Sequence, residues 1–304
     1  MHMSLLPKKK FVILLTSLAL IAVGFISMKL EPAAHGFGPW ALTAAPLLVI
    51  AGFTLGHISI FYGAENKFFL KTDRPFLIAG WASFVASLAV YLITLEETAS
   101  LWDCAEFIAC AYKLQVPHAP GAPLFLIIGR LFSMLAFGNT QLVAYWVNVS
   151  SAVSSALAVM FAFWSVVMLG RKAHAGASTP SLIIAGSVGA FTIAFADSFW
   201  YSAVEAETYA MATLFLIVCF WAILKWGQCE KSAQGYNWLI FIFYMLGLSI
   251  GVHPLSLLIL PAIAITIMFK HKNFSWKNLI LATAIGALGI LFSTMCCSLV
   301  CRMP

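Results

Sequence analysis

Asp103, Glu106, Cys110 and Lys113 follow one another at spacings of three, four and three within "LWDCAEFIACAYKLQVPHAPGAPLF", residues 101–125. On a helix that rhythm puts all four on one face, so two carboxylates lie a turn apart on a shared stripe. A carboxylate close to lipid is pushed toward its neutral form, which suits a general base, and a second beside it can hold the first or bind a hydroxyl. The plainer reading is a solvated acidic loop. His118 follows in "VPHAPGAPL", where Pro117, Pro120 and Pro123 forbid a continuing helix and turn the chain back. A second group of acids stands in "FADSFWYSAVEAETYAMATLF", with Asp197, Glu205 and Glu207 beside Trp200, Tyr201 and Tyr209. Acids beside aromatics can hold a sugar, hydroxyls on carboxylates and ring faces on indoles. The same aromatics also fit an ordinary interfacial belt. His253, in "GVHP", is placed to reach the same surface.

The elements that position these residues are membrane helices. The 304-residue chain is 62% hydrophobic and 9% charged, whereas soluble domains carry roughly 25% charged residues. Its net charge of +6 comes from short basic clusters between apolar runs, the pattern of cytoplasmic loops rather than of nucleic-acid binding. The fold class is all-α: a polytopic transmembrane helix bundle. About nine spans are expected, near residues 11–29, 41–62, 76–95, 141–169, 181–196, 209–226, 237–252, 255–269 and 278–298. The basic start and apolar run of the first are too long for a signal peptide. None of the seven cysteines falls in a metal-binding spacing, and all read as small apolar filler.

Loop charge orders the spans. Lys8–Lys10, Lys67, Lys71, Arg74, Arg171, Lys172, Lys225, Lys231, Lys270, Lys272 and Lys277 fall on one side, and the acids with His253 on the other. By the positive-inside rule the acids face out. This parity keeps "PGAPLFLIIGRLFSMLAF", residues 120–137, from crossing, because a crossing would invert every later loop and bury Arg130 in lipid. The loop 96–140 is therefore expected to hold two non-spanning surface helices, lying at the membrane surface or packed on the other spans. Residues 237–269 are expected to turn back at "GVHP", with a single kinked span as the alternative. Residues 1–75 read as an appended two-helix transmembrane hairpin, and 76–304 as the main transmembrane domain.

The stretch 92–136 closely resembles the opening of the family catalogued as domain of unknown function 2723. "ADSFWYSAVEAETYAM" (196–211) and "LGLSIGVHPLSLLILPA" (246–262) are similar to its later motifs. That family groups with the GT-C glycosyltransferases and is similar in kind to protein O-mannosyltransferases. The resemblance covers about 76–300. It implies a GT-C-like bundle that moves a sugar, mannose by analogy, from a polyprenyl-phosphate donor to Ser or Thr hydroxyls of exported proteins. Asp103 corresponds to the catalytic acid, and Glu106 to its companion in the family's W-D-C-G-E-F string, which reads W-D-C-A-E-F here. The family's G-H-P-P-G-A-P reads "PHAPGAP". His118, Arg130, Lys113, Asp197, Trp200, Glu205, Glu207, Tyr209 and His253 are the expected substrate-binding residues, with Arg130 or Lys113 meeting the departing phosphate. No metal and no cofactor is expected. The expected partners are the lipid-linked sugar, an acceptor protein and the bilayer. The expected place is a bacterial inner membrane, with the site facing the periplasm. Family members continue beyond "SLVCRMP", so the resemblance implies truncation at the C-terminus. A transporter or flippase-like protein, or an inactive membrane component, is the competing reading. Transporters bury ionisable groups at mid-membrane and repeat their halves, and neither feature is evident.

Overall fold

The computed structural model describes residues 8–32, 38–62, 73–119, 121–229, 233–271 and 274–301, and side chains at 233–234, 271 and 292–301 are not described. Pro120, Lys67, Lys71, Lys231 and Lys272 lie outside the described residues, as do the final three residues and the side chains of Cys296, Cys297 and Cys301. The described chain is all-helical. In order come α1 (Lys8–Lys29), α2 (Ala45–Phe61), α3 (Arg74–Ile93), α4 (Cys104–Lys113), α5 (Pro123–Ser133) and α6 (Val143–Ala173). Then come α7 (Thr179–Ala194), α8 (Asp197–Val204), α9 (Thr208–Gln228), α10 (Ala233–Ile250), α11 (Leu260–His271) and α12 (Trp276–Cys301).

Among the described residues, five stretches are long and apolar enough to cross a membrane: α1, Trp40–Phe61, α3, Thr140–Ala173 and α9. The bent pair α7 and α8, broken by 69°, makes a sixth if it forms one span. Of the nine expected spans, the last three are shorter apolar helices over their described residues.

Local chemistry starts these helices where the sequence places them. Proline sits in the first turn of α3, α5 and α7, where its missing N–H costs nothing. The Ser178 side chain caps α7 by accepting from the Ser181 N–H. Arg171 and Lys172 close α6, where cations meet the negative end of its dipole.

α6 is the central post. It packs against α3, α5, α7, α8 and α9, and Val159 and Phe163 on it are fully buried. Close approach to α3 requires Gly80, because a Cβ there would overlap the Trp164 indole, whose Nε1–H donates to the Phe76 carbonyl at 3.0 Å. Gly80→Ala is therefore expected to destabilise the bundle by about 1–3 kcal/mol, the usual cost of overpacking. Thermal unfolding in detergent measures this, and an unchanged midpoint would show that the helices can part without loss.

The two ends of the bundle differ in charge. At one end Arg171 pairs with Asp73 at 2.6 Å, and Lys10 donates to the Ile60 carbonyl and Asn237. At the same end Lys270 donates to the Trp226 and Cys229 carbonyls, closing α9. These contacts put the start of α10 and the end of α11 together at the basic end. The turn between them is packed at the far end, near the start of α9. The chain thus goes up and returns over 233–271, as the hairpin reading expects, and the break falls at Gly251–His253.

α4 and α5 do not cross. They have 10 and 11 residues, about 15–17 Å of helix against a hydrocarbon core of about 30 Å. α5 is no free surface helix: Leu124, Phe125, Leu126 and Ile127 are buried, and it packs on α4, α6 and α2. The α1–α2 hairpin is joined to the rest by hydrogen bonds. Tyr244 Oη donates to the Phe53 carbonyl at 2.7 Å, and Arg130 Nε to the Leu42 carbonyl at 2.6 Å.

Candidate active site at the acidic end

Asp103 stands just before α4, with no capping hydrogen bond from its side chain, and Glu106 lies in the first turn. Trp102, just before, holds φ 62°, a left-handed conformation that costs a non-glycine residue roughly 1–2 kcal/mol. Phe107, Ile108, Cys110 and Ala111 are buried, so the stripe carrying Asp103 and Glu106 runs inward at Cys110. Leu114 turns left-handed at φ 50° and ends the helix three residues ahead of Pro117. Gly121, at φ 76°, then completes the return to α5.

Glu106 clasps that return. One carboxylate oxygen accepts from the His118 backbone N–H at 2.7 Å and the other meets His118 Nδ1 at 2.7 Å. His118 Nε2 lies 3.9 Å from Asp103 Oδ2. Bonding to Glu106 holds the His118 imidazolium above its ordinary range, and bonding to His118 holds the Glu106 carboxyl below its own. The clasp is whole between about pH 4.5 and 6.5, the ordinary values of the two groups. It is lost as pH rises through the raised His118 value or falls through the depressed Glu106 value. Glu106→Gln is expected to bring the His118 titration midpoint down toward its ordinary value. NMR of the imidazole protons measures it, and an unmoved midpoint would break the link.

A small polar cleft of about 60 Å³ lies against this clasp, lined by Asp103, Phe107, His118, Gly121, Ala122, Glu207, Thr208, Tyr209, Val252 and His253. Residues from three distant stretches thus meet. Glu207 precedes α9 and is 7% exposed. Burial, then the charges of Glu205 and Asp103, push its carboxyl up to about 7, while the Thr208 N–H and His118 pull the other way. His253 accepts from the Leu255 N–H at Nδ1, so its neutral ring carries the proton on Nε2; burial lowers its pKa. The Tyr209 and His253 rings pack 5.2 Å apart.

Several expected residues are elsewhere. Arg130 donates to the Tyr112 and Leu42 carbonyls and lies over the Tyr112 ring. Tyr112 and Lys113 end α4 nine and ten residues after Asp103, about 14–15 Å along the helix, so neither cation reaches the cleft. Both suit the negative end of the α4 dipole. Trp200 Nε1 donates to Thr94 Oγ1 at 3.1 Å, Glu205 accepts from Ser100 Oγ, and Asp197 is exposed at the start of α8. These three brace or flank the acidic end without lining the cleft.

Sequence reasoning missed Asn148. It is fully buried in α6 and its Nδ2 donates to the Glu96 and Thr98 carbonyls at 2.7 and 2.9 Å, tying down the irregular segment that leads to Asp103. A lone amide inside an apolar span is the signal that could have found it.

The donor types also fit a cation, since Asp103, Glu106 and His118 each offer a ligand atom within 4.8 Å of one another.

The fold and the cleft define a polytopic membrane protein with an acid- and histidine-lined site at one end of its bundle. The chain belongs to the family of the "Protein O-mannosyl-transferase TMEM260 N-terminal domain", whose model matches residues 103–276. It is 26% identical over 214 residues to the mouse protein O-mannosyl-transferase TMEM260, covering 69% of this chain and 29% of that protein. It is 22% identical over 218 residues to its counterpart in Dictyostelium discoideum, covering 67% of this chain and 25% of the relative. The chain thus spans less than a third of either relative. No solved structure matches it.

Proposed function

We propose that the cleft is the reaction centre of a membrane glycosyltransferase that moves mannose from a polyprenyl-phosphate donor to Ser or Thr hydroxyls. The observation that carries this reading is the convergence of Asp103, His118, Glu207 and His253 on one cleft within a region matched to an O-mannosyl-transferase domain. At about 60 Å³ the cleft admits the reacting atoms, and the sugar and acceptor rest on its mouth. Asp103, 58% exposed at that mouth, takes the hydroxyl proton as the oxygen attacks the anomeric carbon. Glu106 acts through His118, which it orients toward Asp103.

The donor's lipid chain has a place beside the site. An apolar groove of about 250 Å³ runs between α2, α5, α9 and α10, lined by Ile50, Phe53, His57, Leu124, Phe215 and Leu248 among others. Leu124 of the groove donates its backbone N–H to the Gly251 carbonyl at 2.7 Å, next in the chain to Val252 of the cleft wall. The acidic end faces the periplasm or lumen, because the basic loops hold the opposite end.

The test is a transfer assay in membranes containing the full chain, with a polyprenyl-phosphate mannose donor and a Ser/Thr-bearing acceptor. Labelled acceptor is the expected result, and transfer is expected to persist in chelator. No transfer by folded full-length protein overturns the reading. Loss in chelator, restored by a divalent cation, reassigns Asp103, Glu106 and His118 to metal binding.

A further inference from the structure

We propose that Glu207 is the general acid of this site, giving its proton to the departing lipid phosphate while Asp103 takes the proton of the acceptor. The inference rests on the glycosyl-transfer reading and deepens it. It begins from what the cleft lacks. Among the described residues no lysine or arginine lines it, and Arg130 is held by two backbone carbonyls at the other end of α4. The described lining offers a carboxyl proton and two histidines to meet the negative charge that develops on the phosphate oxygen.

The two cleft carboxylates have opposite surroundings. Asp103 is 58% exposed, and Glu207 is 7% exposed at the base of the spanning helix α9. One exposed and one buried carboxyl in a single site divide naturally into base and acid. The groups facing Glu207 are Asp103 from the start of α4, His118 from the return loop, Glu205 from its own loop, and Tyr209 and His253 beside it. Two of these are acids, and together with burial they keep the Glu207 proton on up to about pH 7. A phosphate monoester has a second pKa of about 6, so the transfer is nearly balanced in energy, the condition under which an acid works best.

The step closes as follows. The acceptor oxygen forms a bond to the anomeric carbon and loses its proton to Asp103. The bond from that carbon to the phosphate oxygen breaks, its electron pair stays on the phosphate, and that oxygen receives the Glu207 proton. Solvent then takes the proton from Asp103 and returns one to Glu207.

The experiment measures the pH profile of mannose transfer by the full chain in membranes, alongside infrared difference spectra over the same pH range. Wild type should lose rate as pH rises through about 7. Glu207→Gln should be slower by about 10²-fold, the low end for a general acid, and should lose that basic limb. Glu205→Gln removes a neighbouring negative charge without touching the cleft lining, and should move the limb to lower pH. A protonated-carboxyl band should bleach near the same pH in wild type and be absent from Glu207→Gln. A basic limb that survives Glu207→Gln, or one that Glu205→Gln leaves in place, overturns the acid role while the transferase reading stands. Wild type that transfers nothing overturns the transferase reading, and the acid role with it. Absence of the titrating band overturns the acid role whatever the activity, and it does not require the variant to fold.

Discussion

Asp103→Asn is expected to lower mannose transfer by about 10²–10⁴-fold, the range over which a positioned general base contributes. Asparagine keeps the size of the side chain, and the Asp103 side chain makes no capping hydrogen bond to α4 that would be lost, so the fold should be preserved. What it lacks is a place for the acceptor proton. Because the substitution also removes a negative charge near Glu207 and His118, a smaller secondary effect on their titration accompanies the loss. The loss should fall mainly on kcat, since the proton moves only in the transition state. A single-turnover assay on purified, folded protein checks it. Full transfer by Asp103→Asn would remove Asp103 from the reaction and leave Glu207 as the cleft carboxylate to examine as the base.

Arg130→Met is expected to cost about 2–5 kcal/mol of stability and to leave the KM for the lipid donor unchanged. The guanidinium spans two elements, donating from Nε to the Leu42 carbonyl before α2 and from Nη1 to the Tyr112 carbonyl near the end of α4. Hydrogen bonds to a charged group contribute about 1.5–3 kcal/mol each, and methionine leaves both carbonyls without these donors. Arg130→Lys should recover only part, because an ammonium lacks the planar fork that serves two acceptors at once. Thermal unfolding in detergent and donor kinetics separate the alternatives. Unchanged stability with a raised donor KM would return Arg130 to the substrate.

Much of the architecture was legible in the chain. Helices α1, α2, α3, α6 and α9 follow from apolar runs of spanning length, and prolines mark the starts of α2 and α3. The alternation of loop charge also anticipated that Lys10, Arg171 and Lys270 gather at one end and that α4 and α5 stay at the other. The spacing of Asp103 and Glu106 anticipated a shared helix, and the structure agrees except that Asp103 stands just before its first residue and Cys110 turns inward.

The composition of the site was not legible to the same degree. Nothing in spacing says that Glu106 is taken up by His118, twelve positions on. Nor does it say that Glu207 and His253, more than 100 residues from Asp103 in sequence, share its cleft while Asp197 and Trp200 do not. Arg130 and Lys113 looked suited to a phosphate by charge alone, yet the carbonyl partner of Arg130 at Leu42 is 88 residues away in the chain. The sequence by itself determined the solvent, the helices and the side on which the loops fall. These depend on composition and on periodicity over a few turns, which are local quantities. Only the tertiary structure decided which carboxylate is exposed and which is buried. Burial depends on what other helices bring against a side chain, and in this cleft it is burial that separates Glu207 from Asp103.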